Sequence, residues 1–177
     1  RPRPLRAIAT RRLESKLAYT GALAVVLLLV ACAAQFVEHG FGFDARWDSP
    51  GVEVLDFRYG HSSNLATMGK TSRDSTRNVA QHSYTYGAMQ RPDRLFVRWR
   101  ISATGDSFED TVDLDQRLPT DIKGRWIHFV IKGPQLCVYL VSKNVLPNKA
   151  PSSPLRLYPR QVVDIVYPDS PANQVCQ

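Results

Sequence analysis

The sequence predicts a mainly β fold, with a single N-terminal transmembrane helix followed by one extracytoplasmic β-sandwich domain of the immunoglobulin-like kind. Three observations carry this expectation. Residues 17–34, LAYTGALAVVLLLVACAA, hold no charge. Past residue 50, short apolar runs recur at regular spacing between Gly and Pro turn signals, the pattern of a two-sheet domain. No amphipathic helical period appears outside the N-terminal segment.

A helix needs roughly 20 mostly apolar residues to cross about 30 Å of hydrocarbon. Residues 17–37 supply that length, with Glu38 and His39 at the far interface. Arg1, Arg3, Arg6, Arg11, Arg12 and Lys16 precede the span against Glu14 alone. Basic flanks stay inside, so residues 1–16 are expected in the cytoplasm and the rest in the periplasm of a bacterial inner membrane. Ala18, Gly21, Ala22 and Val25 form a small-residue stripe along the helix, a surface that lets a second membrane helix approach closely.

The same segment supports a second reading. Leu29-Val30-Ala31-Cys32 resembles a bacterial lipobox, with cleavage before Cys32 and lipidation of its thiol. Against cleavage, the apolar run continues past Cys32 through Phe36 and Val37.

Residues 38–50 read as a juxtamembrane connector. Its Phe41, Phe43 and Trp47 suit either the headgroup belt or packing under the domain, and the sequence does not separate the two. Strands follow within the domain, residues 51–177. Val52, Val54 and Phe57 mark the first, and SYTYGAM (83–89) the second. LFVRWRI (95–101) places Leu95, Val97, Trp99 and Ile101 on one face and Phe96, Arg98 and Arg100 on the other. SFEDTVDLD (107–115) should pair with it as a hairpin. The register that matches Val97 with Val112, Leu95 with Leu114 and Arg100 with Glu109 also puts Asp110 inward opposite Trp99. RWIHFVI (125–131) and QLCVYLV (135–141) flank Lys132-Gly133-Pro134 as a second hairpin. Both are apolar on both faces, as strands covered on both sides should be. VVDIVY (162–167) is the last strand. Two stretches resist the scheme: the polar loop 61–82 and the Pro-rich segment 147–159, which should lie extended over another surface.

The chain carries a formal charge of +7. Residues 1–16 contribute six basic and one acidic residue, so most of that charge is topogenic and only +2 remains for the outer part. No Lys/Arg cluster of the kind nucleic acids need is present there. The sequence lacks a nucleophile elbow, a His-Glu-x-x-His, a phosphate loop and a Cys-x-x-Cys. His39, His61, His82 and His128 are scattered. His61 and His82 bracket the polar loop as half a metal site, and zinc catalysis needs a third ligand. The acidic residues from Asp106 to Asp115 alternate along a strand rather than ring a calcium turn. No cofactor, metal, nucleic acid or small-molecule substrate is expected, and no enzymatic activity. Cys137 and Cys176 either form a disulfide that pins the tail, or remain a buried small hydrophobe and a free thiol. Spacing alone does not decide between them.

The expected role is a non-enzymatic accessory subunit whose periplasmic β-domain docks onto an integral membrane protein complex. Candidate partner contacts are Phe96, Arg98 and Arg100 on the third strand, Arg73 and Arg77 in the polar loop, and Tyr158 in the Pro-rich segment, since aromatics and arginines dominate interfaces. The alternative is a lipoprotein cleaved at Cys32, acting as a periplasmic binding or inhibitor (immunity) module. An apolar N-terminal segment followed by a short β-rich domain resembles the layout of proteobacterial lipoproteins encoded near type VI secretion loci. That resemblance implies a module associated with a secretion system.

Overall fold

The structure, a computed structural model, describes residues 36–60, 79–147, 153–169 and 172–177. These form eight strands and one short helix in the order β1 (Phe36–Asp44), α1 (Ala45–Asp48), β2 (Val52–Tyr59), β3 (His82–Gln90), β4 (Arg94–Ile101), β5 (Ser107–Asp113), β6 (Trp126–Lys132), β7 (Gln135–Val145) and β8 (Gln161–Tyr167), closed by a terminal 3-10 turn (Ala172–Cys176). The fold is mainly β, as the sequence predicts. A five-stranded sheet runs β3-β1-β6-β7-β8 and a three-stranded sheet runs β2-β4-β5.

One apolar cluster joins the inner faces of the two sheets. Its centre is aromatic. Phe41 stacks on Tyr59 at 4.0 Å and Phe43 on Phe129 at 4.4 Å, while Phe57 meets Phe43 edge-on. Trp99 is fully buried, and its indole N–H reaches across to donate to the Gly133 carbonyl in the β6–β7 turn. Buried polar groups also bridge the sheets. His39 Nδ1–H donates to the Val37 carbonyl, which leaves Nε2 to accept the Tyr59 hydroxyl at 2.8 Å. Burial lowers the His39 pKa and raises that of Tyr59, so both are held neutral.

The outer face of the five-stranded sheet is covered by the chain itself over β6 and β7. Leu155, Tyr158 and Cys176 close over Val130, Cys137, Tyr139 and Val141 in a second cluster. Cys137 and Cys176 form a disulfide, and the Tyr139 hydroxyl donates to the Cys176 carbonyl. This cover explains why β6 and β7 are apolar on both faces.

Several expectations are corrected. Residues 1–35, and with them Ala18, Gly21, Ala22, Val25 and Cys32, lie outside the described residues. Phe36 and Val37, expected to complete a membrane helix, instead open strand β1, and Val37 packs on the core. Among the described residues no helix is long and apolar enough to cross a membrane. Residues 38–44 of the supposed connector are a strand held between β3 and β6, antiparallel to one and parallel to the other. Phe41 and Phe43 alternate with Gly40 and Gly42, which puts the rings in the core and leaves Trp47 exposed.

The immunoglobulin-like expectation also changes. That arrangement pairs four and three strands in antiparallel sheets, whereas here five face three and β1 runs parallel to β6. The β4–β5 hairpin has the expected faces but a register two residues away, pairing Leu95 with Val112, Val97 with Asp110 and Arg98 with Glu109. Asp110 stays on the inner face, as expected, and accepts from the Tyr167 hydroxyl at 2.7 Å at the open end of the core.

Candidate functional site

Two surfaces hold side chains suited to recognition. The first is the outer face of β2, β4 and β5. β4 alternates Arg94, Phe96, Arg98 and Arg100 outward because Leu95, Val97 and Trp99 are taken by the core. The neighbouring strands answer with acids. Arg98 lies opposite Glu109 on one side and Asp56 on the other, and Arg100 bonds Glu53. Arg58 places its guanidinium 4.3 Å from the centre of the Phe96 ring. Beside this stack opens a cavity of about 290 Å³ lined by Arg58, Gly60, Arg94, Phe96 and Thr111. The face is a checkerboard of charge with one arginine-flanked hollow.

Of the expected partner contacts, Phe96, Arg98 and Arg100 therefore share one face, and both arginines are exposed. Arg73 and Arg77 lie outside the described residues. Tyr158 is corrected: it is buried against its own sheet, in ring contact with Trp126 and His128. The described part of the Pro-rich segment, residues 153–159, thus covers this chain's β-sheet rather than offering itself to a partner. Leu155 and Tyr158 are the reason, since the sheet beneath them is apolar.

The second surface is the outer face of β3, β1 and β6. The register places Tyr84 beside Gly42 and Tyr86 beside Gly40, while β6 contributes Trp126 beside Gly40 and His128 beside Gly42. The glycines are required. A Cβ on Gly40 would fall 2.1 Å from the Trp126 ring, and one on Gly42 2.5 Å from the Tyr84 ring. Both rings lie down on a bare backbone floor. His128 is fully buried beneath Tyr84 and Tyr158, with Nε2 at 3.1 Å from Asp48 Oδ2. Its Nδ1 has no hydrogen-bond partner among the described residues. Burial first, and the Asp48 carboxylate second, raise the Tyr84 and Tyr158 pKa values and push that of Tyr139 up to about 12. These phenols stay protonated at any physiological pH.

Sequence reasoning missed the Asp48–His128 pair because the two are 80 residues apart. The available signal was a histidine in a strand apolar on both faces, which must find a partner when buried. The place of Arg58 over Phe96 depends on the β2–β4 pairing and had no local signal. Among the described residues no group of three or more His, Cys, Asp or Glu side chains converges to hold a metal.

No protein-family model, curated protein or solved structure matches the chain.

Proposed function

We propose that this chain is a non-catalytic, envelope-tethered binding module. Its N-terminal segment holds it at a bacterial inner membrane with residues 1–16 in the cytoplasm. Its β-domain docks in the periplasm onto a larger membrane protein complex. The observation that carries this reading is the outer face of β2, β4 and β5, where Phe96 with Arg58 stacked on it borders an open hollow among exposed arginines. Aromatic–arginine centres ringed by polar pairs are what interface hot spots are built from. The uncharged run 17–34 behind a basic tail supports the tether. The Cys137–Cys176 disulfide supports an oxidising compartment.

A second reading is favoured by one specific observation. Phe36 and Val37 belong to β1, and Val37 packs on the core. The apolar residues that continue past Cys32 therefore have a reason of their own and no longer argue against cleavage there. In this reading the chain is a lipoprotein starting at Cys32, acting as a periplasmic binding or inhibitor module.

Intact mass of the protein extracted in mild detergent separates the two. Residues 1–31 retained indicate the anchored subunit; a lipidated Cys32 terminus indicates the lipoprotein. Docking is tested by the double substitution Phe96→Ala with Arg98→Ala, neither of which removes core packing. A stoichiometric partner that survives extraction with wild type and is lost from the double variant supports the site. A partner retained by the variant refutes it.

A further inference from the structure

The two sheets have four edge strands, and the chain treats one of them differently. An edge strand presents unpaired N–H and C=O groups that template pairing with another strand, and proteins blunt such edges with charge or with covering groups. On β2, the Gln81 side-chain amide accepts from Val54 N–H at 2.8 Å and donates to Val54 C=O at 2.9 Å, imitating a neighbouring strand. β5 carries Glu109, Asp110 and Asp113, and Asp110 accepts its neighbour's N–H from Thr111. β8 carries Asp164, and Arg117 donates to the Val166 carbonyl.

β3 has neither device among the described residues. It is nine residues long, HSYTYGAMQ, and contains no Asp, Glu, Lys or Arg. Its Tyr84 and Tyr86 are 38% and 52% exposed.

We propose that β3 is a dimerisation edge, on which β3 of a second copy of this chain adds antiparallel across a two-fold axis and continues the five-stranded sheet into one of ten. A second copy fits because the strand is self-complementary. Centring the axis on Thr85 places Tyr84 of each copy opposite Tyr86 of the other, and Thr85 opposite itself. Directly opposed side chains approach to about 4.5–5.5 Å between Cβ atoms, and aromatic and β-branched pairs are the favourable ones. An isologous contact of this kind juxtaposes each charge with its own sign at the axis. β3 has no carboxylate, lysine or arginine to repel its copy, whereas β5 would set acid against acid. The sheet's inner and outer faces would run on continuously, because a two-fold between antiparallel strands preserves the alternation of side chains. This inference is independent of how the N-terminus is tethered.

The test uses the full-length chain in detergent, with three variants. Wild type should have the mass of a dimer by light scattering after subtraction of detergent. Tyr84→Lys with Tyr86→Lys, which puts lysines on the edge and uncovers His128 but leaves the core between the two sheets intact, should halve that mass with an unchanged circular dichroism spectrum. Thr85→Cys should form a covalent dimer under mild oxidation, since opposed positions on paired strands come within disulfide reach. Ser107→Cys, on the acidic β5 edge, is the control. It should remain uncrosslinked, and like wild type it also reports any dimer made through Cys32. A wild-type monomer, a dimer that survives the two lysines, or equal crosslinking at Thr85 and Ser107 would each overturn the proposal.

Discussion

Gly40 should be intolerant of a single methyl group because of Trp126. A Cβ at Gly40 would sit 2.1, 2.3 and 2.6 Å from three atoms of the indole ring. Ordinary carbon–carbon contacts lie near 3.5–4.0 Å, so the ring must lift by roughly 1.5 Å. Lifting it strips its contacts with the floor and disturbs its neighbours Tyr86 and Tyr158. Overpacking of this kind costs about 1–3 kcal/mol. Working the other way, Ala is less costly to order than Gly in a strand by roughly 0.5–1 kcal/mol. Gly40→Ala alone should therefore destabilise by about 1–2 kcal/mol net. In a Trp126→Ala background the clash is gone, and the same substitution should stabilise by about 0.5–1 kcal/mol. The coupling across the double-mutant cycle should be about 2 kcal/mol, with a change of sign. Urea unfolding followed by far-ultraviolet circular dichroism measures all four proteins without depending on Trp126 fluorescence. Equal destabilisation by Gly40→Ala in both backgrounds would refute the face-down packing of the indole.

Three further outcomes are expected. Replacing Cys176 with Ser opens a crosslink spanning 39 residues. Loop entropy then predicts a loss of about 4 kcal/mol, read as a lower unfolding midpoint that reducing agent imposes on wild type but not on the variant. His39 has its pKa lowered, chiefly by burial, so the unfolded chain binds its proton more readily. Its stability contribution is complete above pH 6.5 and is lost as pH falls below that value towards the folded pKa. Stability measured against pH should therefore slope more gently in His39→Asn than in wild type through that window, and identical slopes would exclude His39 as the source. Arg91 donates to the Leu118, Pro119 and Thr120 carbonyls. Arg91→Ala should destabilise by about 1–2 kcal/mol, with hydrogen exchange accelerated in residues 115–124, and an unchanged exchange pattern there would count against this clasp.

What the sequence determined by itself follows from local periodicity. Alternation put Leu95, Val97 and Trp99 inward and Arg98 and Arg100 outward, and the structure keeps every one of those faces. Two-sided apolarity in residues 125–131 and 135–141 required cover on both faces, and both strands have it. Gly133 in the turn marked the hairpin between them. What only the tertiary structure decided is which partner each face meets. Parity fixes the face of a strand but not its register, since a slip of two residues preserves every face. The β4–β5 hairpin makes that slip. β1 escaped detection because Phe36 and Val37 abut an uncharged run, and hydropathy has no means of finding where a strand begins within continuous apolar sequence. Its glycines made sense only once Trp126 and Tyr84 were seen lying on them. The cover over β6 and β7 is this chain's own residues 153–160 and disulfide-held tail. A sequence can demand that an apolar face be buried, but what buries it depends on contacts between residues far apart in the chain, and those exist only in the fold.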